Sequence, residues 1–106
     1  MVRATLSMKV KAGRERDFEA AWRAIAERVR TVPGNLRQAL MRDPADPATF
    51  VVTSDWASRE AFTRFERSPE QDELTAPLRA MRQSGSMTVH DILAYIEAAP
   101  ASTAPS

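Results

Sequence analysis

Between residues 4 and 10 the chain alternates strictly, with Ala4, Leu6, Met8 and Val10 on one side and Thr5, Ser7 and Lys9 on the other. A period of two predicts a strand with one dry face. Gly13 breaks it, and the period then changes. Phe18, Trp22, Ile25, Val29 and Val32 follow at steps of four, three, four and three. They lie on one stripe of an amphipathic helix whose other side carries Arg and Glu. Pro33-Gly34 ends that helix.

Residues 35–42 form a weaker strand, closed by the turn Asp43-Pro44-Ala45-Asp46-Pro47. Residues 49–56, Thr-Phe-Val-Val-Thr-Ser-Asp-Trp, are rich in β-branched and aromatic side chains and pair with them as a hairpin. Ser58 caps a helix whose apolar side is Ala61, Phe62 and Phe65. Ser68-Pro69-Glu70-Gln71 is a capping-box pattern that starts another. Pro77 interrupts or restarts it, because proline lacks the N–H that a helix interior needs. A final strand is expected over 86–96. The domain then spans 1–97, and the small, proline-containing stretch 98–106 is expected to be a disordered tail.

The order is β-α-β-β-α-β, a ferredoxin-like α+β arrangement: a four-stranded antiparallel sheet with helices on one face. Both faces of the third and fourth strands carry apolar residues. Phe50, Val52 and Trp56 oppose Val51; Met87, Val89, Leu93 and Tyr95 oppose Ile92, Ala94 and Ile96. That pattern predicts a second layer over the open face, and a second copy of the chain is the economical one. The expectation is a homodimer packed sheet against sheet, a dimeric α+β barrel.

Composition narrows the chemistry. The chain has 106 residues, 43% hydrophobic and 27% charged, with 15 basic against 14 acidic side chains and a net charge of +1. No basic run points to nucleic acid. No cysteine and a single histidine, His90, leave neither a thiolate site nor a multi-histidine metal site. Three glycines supply no phosphate-binding loop, so no nucleotide or flavin cofactor is expected. No apolar stretch approaches the ~20 residues that span a bilayer, and a soluble cytoplasmic protein is expected.

The run Val32-Pro33-Gly34-Asn35-Leu36, then Phe50-Val51-Val52-Thr53-Ser54-Asp55-Trp56-Ala57-Ser58-Arg59-Glu60-Ala61-Phe62, resembles the antibiotic-biosynthesis monooxygenase family. The shared pattern is a Pro-Gly after the first helix, an apolar strand, a tryptophan, and a Ser-x-Glu-Ala-aromatic helix start. The resemblance implies the dimeric barrel and a cofactor-free oxygenase of the anthrone-oxidising kind, with Trp56 in a cavity between sheet and helices. That kind carries an asparagine, a phenol and an arginine where this chain has Val52, Phe62 and Thr75; Arg79 and Arg82 lie further along the same helix. Haem-degrading relatives carry a histidine where this chain has Glu66, so haem is not expected.

Trp56 reads either as plain core or as a cavity wall, and Trp22 as core that borders the same space. His90 is the side chain whose ordinary pKa (~6.5) suits a general base; a structural or interface role is the alternative. Alternation sets it opposite Val89, Asp91 and Tyr95, and sets Asp55 opposite Trp56, toward a partner subunit. Trp56, Phe50, Val52, Phe62, Trp22 and Tyr95 are the candidate pocket. Arg79 or Arg82 is the candidate anion donor, against the reading of both as a solvated helix face. The function expected is a cofactor-independent monooxygenase or tailoring enzyme acting with O2 on an aromatic polyketide of the anthrone or phenol type. A cyclase or aromatase on the same fold and a non-catalytic accessory protein are the rivals.

Overall fold

The structure, a computed structural model, describes residues 1–101. The expected disordered tail lies, from residue 102 on, outside the described residues; residues 98–101 carry no regular secondary structure. The elements are β1 (Val2–Val10), α1 (Glu15–Val29), β2 (Asn35–Arg42), β3 (Thr49–Trp56), α2 (Arg59–Glu66), α3 (Pro69–Met81) and β4 (Arg82–Asp91). The strands form one antiparallel sheet in the order β2-β3-β1-β4. This is the expected ferredoxin-like βαββαβ topology, with the second helical connection divided into α2 and α3.

Alternation decides which side chains meet the helices. On β1, Val2, Ala4, Met8 and Val10 are buried, and on β3 so are Phe50 and Trp56. The stripe on α1 packs onto them through Phe18, Ile25 and Val29. Phe18 and Phe50 meet with ring centroids 5.0 Å apart. Each such ring removed from water contributes about 1.5–3 kcal/mol.

The helix starts behave as their side chains predict. The Ser58 hydroxyl accepts from the Ala61 N–H at 3.0 Å, and the Ser68 hydroxyl accepts from the Gln71 N–H at 3.1 Å. Helix α3 runs through Pro77 without a break. The β2–β3 turn is fastened by Asp46, whose carboxylate accepts from the Ala48 N–H and the Thr49 hydroxyl.

Gly34 explains the Pro-Gly signal. Its φ is +91°, and a Cβ there would lie 2.6 Å from the Ala61 Cβ. Its carbonyl accepts from the Ala57 N–H at 2.8 Å. Backbone, Trp56 and the start of α2 therefore close on one another where no side chain fits.

The final strand departs from expectation. It spans Arg82–Asp91 rather than 86–96, because its partner β1 begins at Val2, which pairs with Asp91. The Ile92 N–H still reaches the Met1 carbonyl at 2.8 Å, and beyond it no strand remains to pair with. Residues 92–97 leave the alternation, and Tyr95 corrects accordingly. Expected on the Val89 side, it crosses to the open side of the sheet and donates its hydroxyl to Asp55.

Asp55 does point away from Trp56, but its partners belong to its own chain. It is 1% exposed and accepts from Arg3 Nε at 2.7 Å and Arg3 Nη2 at 2.9 Å. Arg37 approaches it at 3.9 Å while lying 4.5 Å over the Tyr95 ring. The remainder of the open face is mostly hydroxylic: Thr5, Ser7, Thr53, Ser86 and Thr88 alternate there with Val51, Ala39 and Met41. No helix of the described residues is long and apolar enough to cross a membrane.

Candidate active site

Trp56 ends β3 on the helix side and is completely buried. Its indole N–H donates to the Ser54 hydroxyl at 3.0 Å, two residues back on the same face. Phe65 of α2 stacks on it with centroids 4.9 Å apart and planes 28° apart; Phe62 meets it at 6.0 Å and 55°. These rings form one end of an apolar cavity of about 130 Å3 between the sheet, α1 and α3. Trp22 and Ile25 line it from α1, Leu6 and Val52 from the sheet, and Leu78 from α3.

Five residues with polar side chains line this cavity beside Trp56: Ser54, Gln38, Gln71, Thr75 and the exposed Glu66. Gln38 pairs with Ser54 across β2 and β3 and donates to the Ala26 carbonyl at 3.1 Å. Thr75 donates to the Gln71 carbonyl and accepts from Arg79. Gln71 meets the capping-box pattern only in part. Its N–H is bonded to Ser68, whereas its side-chain amide makes no hydrogen bond among the described residues, and the residue belongs to the cavity lining. Glu66 is the carboxylate in the lining.

A trough of about 310 Å3 continues the cavity between α3 and β4, sharing Leu6, Met8, Gln71, Thr75, Leu78 and Met87 with it. Arg79 and Arg82 line the trough. Arg79 is held on its own helix, donating to the Thr75 hydroxyl at 2.6 Å and the Asp72 carbonyl at 2.8 Å. Arg82 has no carboxylate partner among the described residues. Its guanidinium lies over Gly85, where a Cβ would come within 2.7 Å of it.

The structure thus brings together Trp56, Trp22, Val52 and Phe62 in one cavity, with Arg79 and Arg82 on its extension. Three expected members lie elsewhere. Phe50 is on the right face, but six residues of extended strand, about 20 Å, separate it from Trp56, and it is core against Phe18. His90 pairs with Arg3 and is exposed on the open face, while Val89 pairs with Ala4 on the cavity side. Tyr95 sits with Asp55 on that same open face. Strand parity is the reason that His90 and Trp56 do not meet.

Ser54, Gln38, Phe65, Gln71 and Glu66 are the lining residues that patterning did not single out. Ser54 was within reach of it, since alternation puts positions 54 and 56 together. Gln71, Thr75 and Leu78 share a helix stripe at steps of four and three. Gln38 depends on the register of β2 against β3, which no local signal reports.

Sequence comparison fits this geometry. The profile of the antibiotic biosynthesis monooxygenase family matches residues 1–76. Over 77 residues the chain is 29% identical to Protein SchA of Streptomyces halstedii, covering 73% of this chain and 20% of that protein. It is 31% identical over 77 residues to a 42.8 kDa protein in the whiE locus of Streptomyces coelicolor, covering 73% and 19%. The chain therefore spans about a fifth of the length of these relatives. Among solved structures, SnoaB, a cofactor-independent oxygenase from Streptomyces nogalater, superimposes with a TM-score of 0.79 at 21% identity, over 90% of this chain and 95% of that one. At that identity the likeness speaks for the fold. With Trp56, Gly34 and the Ser58-capped helix all inside the matched span, the chain belongs to the antibiotic biosynthesis monooxygenase family.

Proposed function

We propose that this protein is a cofactor-independent monooxygenase whose substrate is an aromatic polyketide of the anthrone or phenol type. The observation that carries the reading is the apolar cavity walled by Trp56, Trp22, Phe62 and Phe65 and edged by a few polar side chains, which reaches the size of a ligand site only together with the trough that continues it. An electron-rich anthrone needs little from a protein. A base removes one proton from its CH2 carbon, and the resulting carbanion reduces O2 and becomes bonded to it as a peroxide. Loss of water then leaves a carbonyl, so that CH2 and O2 become C=O and H2O. All the electrons come from the substrate.

Each group has a stated task. The aromatic walls hold the flat ring system and exclude water, which strengthens every charge interaction inside. Glu66 takes the proton, because His90 is on the far side of the sheet. Arg82, reached along the trough and without a carboxylate partner among the described residues, stabilises the developing oxyanion, with Ser54 and Gln71 as hydroxyl and amide contacts nearer Trp56. A homodimer in the cytoplasm belongs to the same proposal; the exposed apolar side chains of Met41, Leu93 and Ile96 support the dimer, although the rest of the open sheet face is more hydroxylic than the sequence pattern implied.

Oxygen consumption with an anthrone substrate and no added flavin or metal tests the reading. Trp56→Phe, Glu66→Gln and Arg82→Gln are each expected to lower kcat by at least tenfold, since a positioned acid–base or anion-stabilising group contributes about 10²-fold or more. Unchanged turnover in all three sinks the assignment. The uncharged character of Ser54, Gln38, Gln71 and Thr75 favours a second reading, a cyclase that polarises carbonyls without oxygen. Conversion that proceeds equally under argon selects it, and tight binding without conversion in either atmosphere selects an accessory protein.

A further inference from the structure

On the outer side of Phe65 a second depression of about 360 Å3 opens between the end of α1, α2 and the start of α3. Its floor is apolar, formed by Val32, Pro33, Ala61 and Leu74. Phe65 and Gln71 belong to the linings of both this groove and the Trp56 cavity, so these two side chains are the wall between them. Neither is firmly fixed. Phe65 is only half-buried and is held on this side by its stacking on Trp56, and the Gln71 amide makes no hydrogen bond among the described residues. Phe65 is thus the larger of the two side chains that stand between the spaces, and its side chain has other staggered rotamers.

The rim of the groove carries two arginines that face no carboxylate among the described residues, a condition they share with Arg16, Arg42, Arg67 and Arg82 but, in the linings of the groove and of the Trp56 cavity, with no other arginine. Arg14, Arg23, Arg30, Arg59 and Arg79 each face a carboxylate at 3.2 Å. Arg28 and Arg64, both exposed on the rim, face none among the described residues. Glu70 also stands on the rim and pairs with neither, so the three charges sum to one positive. Two guanidinium groups above an apolar floor match a flat ring system bearing a carboxylate: the ring lies on the floor, and the carboxylate takes the fork-like donors.

We infer that this groove is the mouth of the cavity and the recognition site for an anionic substituent, so that the substrate is an aromatic acid. Its ring system passes Phe65 toward Trp56, and its carboxylate stays at Arg28 and Arg64. The inference rests on the reading of the Trp56 cavity as a substrate site.

Binding tests it without turnover, because Trp22 and Trp56 both line the cavity and tryptophan fluorescence reports an occupant. The probes are anthraquinone-2-carboxylate and anthraquinone-2-carboxamide. The carboxylate is expected to bind about fivefold to tenfold more tightly, a preference that shrinks with added salt. In the Arg28→Gln/Arg64→Gln variant the two probes should agree to within about twofold, since the charge that tells them apart is gone. Arg16→Gln/Arg23→Gln removes two positive charges from α1 at positions outside the groove and should retain the preference. Phe65→Ala, which removes the wall, should speed association severalfold in stopped flow.

Equal affinity for both probes in the unmodified protein, no quenching by either, or a preference that survives loss of Arg28 and Arg64 overturns the inference. An unchanged association rate in Phe65→Ala places the mouth elsewhere. A carboxylate preference in a protein that consumes no oxygen upholds this site and removes the oxygenase reading alone.

Discussion

Arg3 and Asp55 stand opposite each other on β1 and β3, and the guanidinium grips the carboxylate through two hydrogen bonds of 2.7 and 2.9 Å. The Arg3 hydrogen bond, against the opposing cost of burial, holds the Asp55 carboxyl below its ordinary value of 3.8. A lowered carboxyl pKa stabilises the fold above about pH 4, and the contribution is lost as pH falls through the lowered value. Arg3 is 43% exposed, so Asp55→Asn is expected to cost about 1–3 kcal/mol, less than the rupture of a fully buried pair. Thermal unfolding from pH 7 to pH 3 checks this. The variant should lose stability more gradually with acid than the parent, and parallel curves refute it.

Gly34 and Gly13 offer a matched pair of substitutions. Both have positive φ, +91° and +84°, but a Cβ at Gly34 meets Ala61 at 2.6 Å whereas one at Gly13 meets nothing within 4 Å. Gly13→Ala carries only the backbone penalty of about 1–2 kcal/mol. Gly34→Ala adds the overpacking, for a total of about 2–5 kcal/mol. Urea midpoints of the two variants measure the difference, and equal losses show that the contact relaxes away.

The proposed dimer makes stability depend on concentration. If a second copy covers the open sheet face, the unfolding midpoint should rise with protein concentration by mass action. Light scattering should report twice the chain mass at micromolar concentration. A monomer whose midpoint is independent of concentration excludes the barrel.

Much of the fold was legible because its signals are local. Period-two and period-3.6 patterns located β1, α1 and β3, and Ser58 and Ser68 marked two helix starts that the hydroxyl caps then confirm. The end of β4 was not legible, because strand length depends on where β1 begins and not on residues 92–96 themselves. The error carried over to Tyr95, whose face was read by extending an alternation past its last hydrogen bond. For the site, Trp56, Trp22, Val52 and Phe62 could be named from pattern and resemblance. Gln38 and Glu66 could not: one needs cross-strand register, the other the angle at which α2 leaves the sheet. Phe50 was misplaced by distance along the correct face, and His90 by an argument from chemistry that strand parity overrules.

Along β3, neighbouring residues answer to different demands. Trp56, Ser54 and Val52 look into the cavity, while Asp55 and Thr53 look outward, Asp55 fastening the chain's last described segment to the sheet. A lineage can therefore alter its chemistry at every second position of one strand while leaving the intervening positions untouched. Two independent sets of physical constraints are interleaved in eight residues. The same geometry punishes any insertion or deletion of one residue there, which would exchange the two sets and destroy both at once.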